Sequence, residues 1–284
     1  MTTIGLLYDV IRWEEKALIK AARDKGINIT PIDTDNLFLS VNTDGGPEFG
    51  DVILQRCVGY YRAVHLTAIL QAKGKLVINP LDVALTCGNK LLTTLALMNA
   101  KVPTPKTIVA FSPESALRAL DTVVGYPAVL KPVTGSWGRL VALLNDRESA
   151  EAIMEDRSYM FPLYQIFYVQ PKVNRPPRDI RTVVIGDEAV AAIYRYSAPG
   201  QWKTNTALGG KAVACPITSE LEEISLKAAK AVGGGVLGID CMESPEGLLV
   251  HEVNNTVEFK NTVPTTGVNI QGLIIDYAVN LAKH

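Results

Sequence analysis

Residues 236–254 read VLGIDCMESPEGLLVHEVN, and this stretch restricts the fold more than any other. Two runs of strand-forming residues flank Pro245-Glu246-Gly247, a composition that suits a three-residue hairpin loop. Proline presets the first turn position and glycine accepts the left-handed one. With Ser244 facing Leu248, Asp240 lies directly opposite Glu252, and strand alternation puts Asn254 on the face of Glu252. Val236, Met242, Leu248 and Val250 share that face, while Leu237, Ile239, Leu249 and Val253 take the other. A strand apolar on both sides is buried on both sides. Buried carboxylates need a cation or hydrogen-bond partners, and like charges directly opposite each other destabilise by up to about 1 kcal/mol. Two carboxylates and a carboxamide form an all-oxygen donor set suited to Mg²⁺ that retains water and phosphate oxygens. Asp240, Glu252 and Asn254 are therefore candidate metal ligands. A solvated charged face is the plainer alternative.

The remaining pattern is α/β. Residues 3–8, 27–33, 51–57 and 75–79 suit strands, with helices over 12–25 and 60–73 ended by Gly26 and Gly74. Strands alternating with helices imply a parallel sheet, which Pro80 closes. A second segment opens near Asn89, a capping side chain for a helix from Lys90. It continues through strand 106–111, a helix capped by Ser112 with Pro113 at its first position, and strand 126–131. The loop TGSWGR (134–139) and a helix from Asp146 follow. From Tyr164 on the chain is mostly strands, interrupted by a helix over 219–232 with Ser219 and Glu222 as a capping box and closed by a helix over 270–282. Three lobes are expected: an N-terminal parallel α/β lobe (1–86), a central lobe (87–163) and a mostly antiparallel C-terminal lobe (164–284).

Several functional classes drop out. A formal net charge of -1 over 284 residues gives no electrostatic reason for nucleic acid or an anionic membrane as partner. Apolar runs are far shorter than a membrane span, and the N-terminus shows no basic, cleavable leader, so a cytoplasmic location is expected. Cys57, Cys87, Cys215 and Cys241 are scattered without C-x-x-C spacing and read as free thiols; three dispersed histidines weaken a zinc enzyme. The stretch GGGVLG (233–238) matches a dinucleotide fingerprint, but it follows a helix and precedes a strand, the reverse of the working order.

Cations carry the second signal. Lys131 ends the strand PAVL beside Gly135-Ser136-Trp137-Gly138, where its charge and the loop N–H groups can meet a phosphate. Lys90 at a helix start opposes the helix dipole, which is tolerable if an anion binds there. Between Lys172 and Lys211 seven basic residues face three acids. A solvated basic face accounts poorly for Arg181 and Arg195, which lie within or beside apolar strands, whereas arginine offers planar bidentate donors to phosphate or carboxylate.

In order, the pieces are a lysine, LKP with a Gly/Ser loop, YVQPKV, DIR, an arginine, WKTN and a late D…E-x-N. This order resembles the RimK-related branch of the ATP-grasp superfamily over nearly the whole chain, closest to the LysX-type ligases of lysine biosynthesis. GSWGR, DIR, TNTALGG and HEVNNTVEFKNT are its most specific parts. The resemblance implies ATP held between the central and C-terminal lobes. Lys90 and Lys131 would meet its phosphates under a loop of Gly135, Ser136, Trp137 and Gly138. Gln170 would lie at the adenine hinge, Asp179 near the ribose, Arg181 and Arg195 beside the nucleotide, and Asp240, Glu252 and Asn254 around Mg²⁺. Arg195 and Asn205 would face the reacting groups, and Thr204, Asn205, Glu258, Phe259, Lys260, Asn261 and Thr262 the substrate. It further implies an ADP-forming reaction through an acyl phosphate, joining α-aminoadipate to the C-terminal glutamate of LysW, a small, acidic, zinc-containing carrier protein that suits the basic stretch. A homodimer or homotetramer is implied as well. The motif Glu258-Phe259-Lys260-Asn261-Thr262 favours aminoadipate over glutamate. The alternatives are a glutamate-specific or dual-specificity ligase, a RimK-like glutamate ligase, and a non-catalytic nucleotide-binding regulator.

Overall fold

The computed structural model describes residues 2–43, 47–204 and 210–283. Strands β1 (Thr3–Tyr8), β2 (Asn28–Asp33), β3 (Val52–Gln55) and β4 (Leu76–Ile78) form a parallel sheet in the order β2-β1-β3-β4. Helices α1 (Trp13–Asp24) and α2 (Tyr60–Ala72) supply the crossovers that parallel pairing requires. Alternation sorts the sheet's side chains: Ile4, Leu6 and Leu54 pack with Leu18 of α1, while Leu7, Ile53 and Val77 pack with Ala63 and Leu70 of α2.

Pro80 ends this sheet but not the helical structure. A seven-residue helix, α3 (Leu81–Cys87), follows at once and bends into α4 (Lys90–Asn99). The sequence reading passed over α3, whose segment LDVALTC is short and carries no side-chain cap. Asn89 caps α4 as expected, its Oδ1 accepting from the N–H groups of Leu91 and Leu92.

The second sheet joins β5 (Ile108–Ala110), β6 (Ala128–Lys131), β7 (Ala142–Leu144) and β8 (Phe167–Pro171) in the antiparallel order β5-β8-β6-β7. Helices α5 (Pro113–Ala119) and α6 (Arg147–Ser158) cover it, with Ser112 and Asp146 accepting from the third N–H of each.

The third sheet is antiparallel, in the order β11-β10-β9-β12-β13, from β9 (Arg178–Ile185), β10 (Glu188–Tyr196), β11 (Lys211–Ala214), β12 (Val236–Ser244) and β13 (Gly247–Asn254). Helix α7 (Ser219–Ala231) covers one face with Leu221, Ile224 and Ala228. Its cap is Thr218 rather than Ser219: the Thr218 hydroxyl accepts from the Leu221 N–H, and the backbone is still extended at Thr218. Helix α8 (Thr262–Thr266) is short, and α9 (Ile270–Leu281) ends the chain. Among the described residues no single helix is long and apolar enough to cross a membrane.

The hairpin of β12 and β13 departs from its expected register in an instructive way. Ser244 pairs with Gly247, so the turn holds two residues, Pro245 and Glu246, and pairing near the turn is one residue off: Glu243 opposes Leu248 and Cys241 opposes Val250. The Ser244 hydroxyl closes the turn, donating to the Gly247 carbonyl and accepting from the Glu246 N–H. A bulge at His251 then absorbs the slip, and Asp240 opposes Glu252 after all. Leu248 and Val250 consequently lie on the α7 side, with Cys241, Ile239 and Val253, not on the face of the acids.

The opposite face of this sheet is apolar at one end and charged at the other. Val183, Ile185 and Val236 pack with Ile270, Ile274 and Ile275 of α9, in the core that also holds Leu6, Leu54 and Leu18. One side chain fastens this junction. Asn79, 2% exposed, donates from Nδ2 to the carbonyls of Val236 (2.8 Å) and Asn255 (3.0 Å) and to Asn255 Oδ1 (2.9 Å), and its Oδ1 accepts from the Val236 N–H at 2.8 Å. Gly235, at φ +110°, permits the approach, because a Cβ there would stand 2.1 Å from Asn79 Oδ1. The glycines after α7 thus serve backbone contact, consistent with helix-before-strand order. Asn79→Ala leaves buried backbone groups unpaired and should cost about 3 kcal/mol, read as a lower denaturation midpoint with an unchanged slope in urea. Unaltered stability would remove Asn79 from its role as fastener.

Candidate active site

A cleft of about 350 Å³ opens where the three sheets meet. Its floor is the charged end of the third sheet. Arg195 on β10 opposes Asp179 on β9, and Arg181 on β9 opposes Asp240 on β12. Arg195 grips Asp179 with Nε (2.7 Å) and Nη2 (2.9 Å), and Nη2 also meets Asp240 Oδ2 at 2.9 Å. Arg181 forks onto Asp240 at 2.6 and 2.7 Å, and Asn254 Nδ2 approaches the same carboxylate at 3.4 Å. Burial alone would raise the Asp240 carboxyl, but Arg181 and Arg195 hold it well below the usual carboxylate range. Burial likewise opposes the Arg195 charge, and Asp240 and Asp179 more than restore it.

This corrects one inference from sequence. Burial of Asp240 across from Glu252 does not by itself demand a metal, because two guanidiniums already compensate it. Glu252 remains turned to the cleft with Lys90 Nζ at 3.4 Å. The structure brings Asp240, Glu252 and Asn254 together, and carboxylate and carboxamide oxygens are donors that suit a hard divalent ion. Asp179 is 2% exposed and accepts from both Arg195 and the Thr204 hydroxyl, so its carboxylate is committed to the floor and not free for a ribose. Asn205 lies outside the described residues.

Over this floor hangs the loop between β6 and β7. Gly135, Trp137 and Gly138 all have positive φ, which turns its backbone sharply. Lys90 Nζ donates to the Gly135 carbonyl at 2.8 Å, and Lys203 Nζ to those of Gly138 (3.1 Å) and Val141 (2.8 Å). Ser136 also lines the cleft. Lys131 reaches the cleft from β6 while its Nζ donates to Gln170 Oε1 at 2.8 Å. Burial pushes this ammonium down to about 8, against the pull of Glu252. Gln170 itself does not form the wall as expected. It sits behind Lys131, 2% exposed, donating to Thr107 and Tyr168.

The comparisons with known proteins decide the family. Residues 87–278 match the RimK-like ATP-grasp domain and residues 4–86 the LysX preATP-grasp domain. The chain belongs to the RimK-like ATP-grasp family. It is similar to the alpha-aminoadipate–LysW ligase LysX of Sulfurisphaera tokodaii, 41% identical over 96% of each chain. The glutamate–LysW ligase ArgX of the same organism is 35% identical over 96% of this chain and 97% of that one. A RimK domain ATP-grasp protein from Sphaerobacter thermophilus superposes with a TM-score of 0.79 at 26% identity, covering 98% of this chain and 99% of that one. The protein is an ATP-dependent, ADP-forming ligase of ATP-grasp fold.

In this RimK-like chain the segment after β13 forms another wall, held by the first sheet. Glu14 Oε1 accepts from the N–H groups of Phe259 (3.2 Å) and Lys260 (3.0 Å), and Arg56 Nη2 donates to the Val257 carbonyl at 3.1 Å. Glu258, Lys260, Asn261 and Thr262 line the cleft, although Thr262 is only 1% exposed. Phe259 does not: it is fully buried, edge-on to Trp13 at 5.9 Å and beneath the Arg56 guanidinium. Its part is to anchor the segment. Sequence reasoning missed Arg12, Glu14 and Arg56, because acids in a helix's first turn read as ordinary dipole partners. It also missed His251, whose Nε2 is buried without a partner and which owes its place to the bulge.

A phosphate partner needs Lys131 protonated, and its free-state value of about 8 makes that pH-dependent. ADP affinity should be level below that point and weaken by up to about tenfold per pH unit above it. Calorimetry between about pH 7 and pH 9.5 checks this; Lys131→Met should bind more weakly and flatten the profile, whereas a flat wild-type profile would remove Lys131 from the phosphates.

Proposed function

We propose that this ligase joins the α-amino group of α-aminoadipate to the γ-carboxyl of the C-terminal glutamate of a LysW-type carrier protein in lysine biosynthesis. The observation that carries the reading is the cleft itself, where Lys90, Lys131 and the floor arginines face the EFKNT segment across one space. The identity to an alpha-aminoadipate–LysW ligase supports the same substrates. Three lobes would act, with ATP between the second and third; the expected boundary at 163/164 shifts C-terminal, because β8 (Phe167–Pro171) pairs with β5 and β6 in the second sheet.

In the first step a carboxylate oxygen of the carrier attacks the γ-phosphorus of ATP, and ADP leaves with the bridging electron pair. In the second the amine attacks the acyl phosphate and phosphate departs. Neither step needs a protein nucleophile; positioning and charge neutralisation suffice. Lys90 and Lys131 take phosphate oxygens, and Lys90 exchanges the Gly135 carbonyl for them. The Gly135–Gly138 loop covers the phosphates with its N–H groups. Arg195, oriented by Asp179, and Arg181 offset the buried carboxylates of the floor and present N–H groups toward the transferring group, while Gln170 orients Lys131. Asp240, Glu252 and Asn254 would hold Mg²⁺, whose charge, when bound, neutralises phosphate oxygens. Thr204, fixed by Asp179, borders the reacting groups. The basic residues of 172–211 offer less of a carrier docking face than their count suggested, because Arg178 pairs with Glu243 and Arg181 and Arg195 with the floor acids.

Incubation with ATP, Mg²⁺, purified carrier and one amino acid at a time, followed by intact mass, tests this. The carrier should gain one aminoadipyl residue; a gain with glutamate alone would replace the substrate assignment by that of the ArgX-like relative. Glu252→Ala should keep the fold, by circular dichroism, and lose ADP release by at least about 100-fold. Normal ADP release from that variant would sink the metal assignment.

A further inference from the structure

The second step needs an amine, yet an amino acid arrives as an ammonium ion that cannot attack a carbonyl until it loses a proton. A site for it must offer an anion that is not already spent. Four carboxylates line the cleft among the described residues: Asp179, Asp240, Glu252 and Glu258. Asp179 and Asp240 are locked by arginine forks at 2.6–2.9 Å, and Glu252 stands with Asp240 and Asn254 in the divalent-ion set. Glu258 differs. Its side chain is 35% exposed, and among the described residues its Oε1 meets two groups at long range, Arg12 Nη1 at 3.4 Å and Trp137 Nε1 at 3.3 Å. Charge-assisted bonds are normally about 2.7–2.9 Å, so this carboxylate is loosely held and free to take another donor.

The other basic groups on the wall suit the task less well. Burial lowers the proton affinity of His251, and the charges of Lys131, Arg195 and Arg175 lower it further against the pull of Asp240. Burial pushes the Cys57 thiol up to about 11 and Cys87 higher still, which keeps both protonated. Arg12 meets Glu258 at 3.4 Å but spends its shorter bonds on Glu15 (2.8 and 3.1 Å), and Lys260 lines the same cleft, so positive charge for the carboxylates of a dicarboxylic amino acid is at hand. Glu258 also touches the loop over the phosphates through Trp137, which puts its carboxylate beside the covered end of the cleft.

We propose that Glu258 is the catalytic anion that receives the ammonium group of the incoming amino acid and accepts its first proton. The proposal rests on the ligase reading above and assigns a role within it. In the step, the ammonium gives one proton to Glu258, and the freed nitrogen lone pair forms the C–N bond to the acyl carbon. The C–O bond to phosphate breaks with its electron pair on the phosphate oxygen. The nitrogen's second proton goes to the departing phosphate, and Glu258 returns the first to solvent.

Hydroxylamine separates the two functions, since it is neutral near pH 7 and captures acyl phosphates without needing a base. With ATP and carrier, wild-type enzyme should release ADP with either amino acid or hydroxylamine, the latter yielding carrier hydroxamate. Glu258→Gln should lose about 100-fold or more in kcat/KM for the amino acid, while hydroxylamine-supported ADP release stays within about twofold of wild type. The retained reaction also certifies that the variant is folded. Equal losses with both nucleophiles, or no loss with either, would overturn the role of Glu258. Absence of hydroxamate from wild-type enzyme would instead overturn the acyl-phosphate reading beneath it.

Discussion

The buried lattice Arg195–Asp179, Arg195–Asp240 and Arg181–Asp240 is the interaction on which the cleft depends. Four charges in a sheet floor would be prohibitive singly, since desolvation of an unpaired ion costs several kcal/mol. They are tolerable together because each carboxylate receives a planar fork, one arm to each oxygen, a geometry that lysine cannot supply. The lattice lets one sheet face change from apolar to ionic between Val183 and Arg181 with each of its four charges matched. It also tethers Thr204 through Asp179. A floor so constrained is organised before any ligand arrives, which is where electrostatic catalysis gains its advantage.

Much of this was legible in the chain, unevenly. The βα pattern, the caps at Asn89, Ser112 and Asp146, and the reversed order around GGGVLG all follow from local rules and were realised locally. The Asp240–Glu252 pairing was reached through a three-residue turn that does not exist, and the bulge at His251 compensated. Bulges answer to packing on both faces, which periodicity cannot register. The arginine partners of Asp240 were each visible as misfits in apolar strands. Their pairing with Asp240 was not, because it joins strands far apart in the chain, 59 residues in the case of Arg181.

The failures at Gln170 and Phe259 share a cause. Both lie in the right motifs, and both turn inward, one to hold Lys131 and the other to seat between Trp13 and Arg56. A motif identifies a backbone path; which of its side chains face the ligand depends on neighbours elsewhere in the chain. For Gln170 those neighbours are Thr107, Lys131 and Tyr168, whereas for Phe259 they belong to the first fifty-six residues. Glu14 and Arg56 grip the backbone of 257–260, so the parallel sheet acts as a jig for a wall of the cleft.

The seating of α9 has an implication for biogenesis. This last helix lies against α1, β3 and β9, filling the core that Leu6, Leu18 and Leu54 begin. During synthesis at about 5–20 residues per second, those early side chains therefore leave the ribosome long before their covering is made. The nascent chain must carry an uncovered apolar flank for on the order of ten seconds or more, a window in which chaperones, or neighbouring nascent chains, can compete for it.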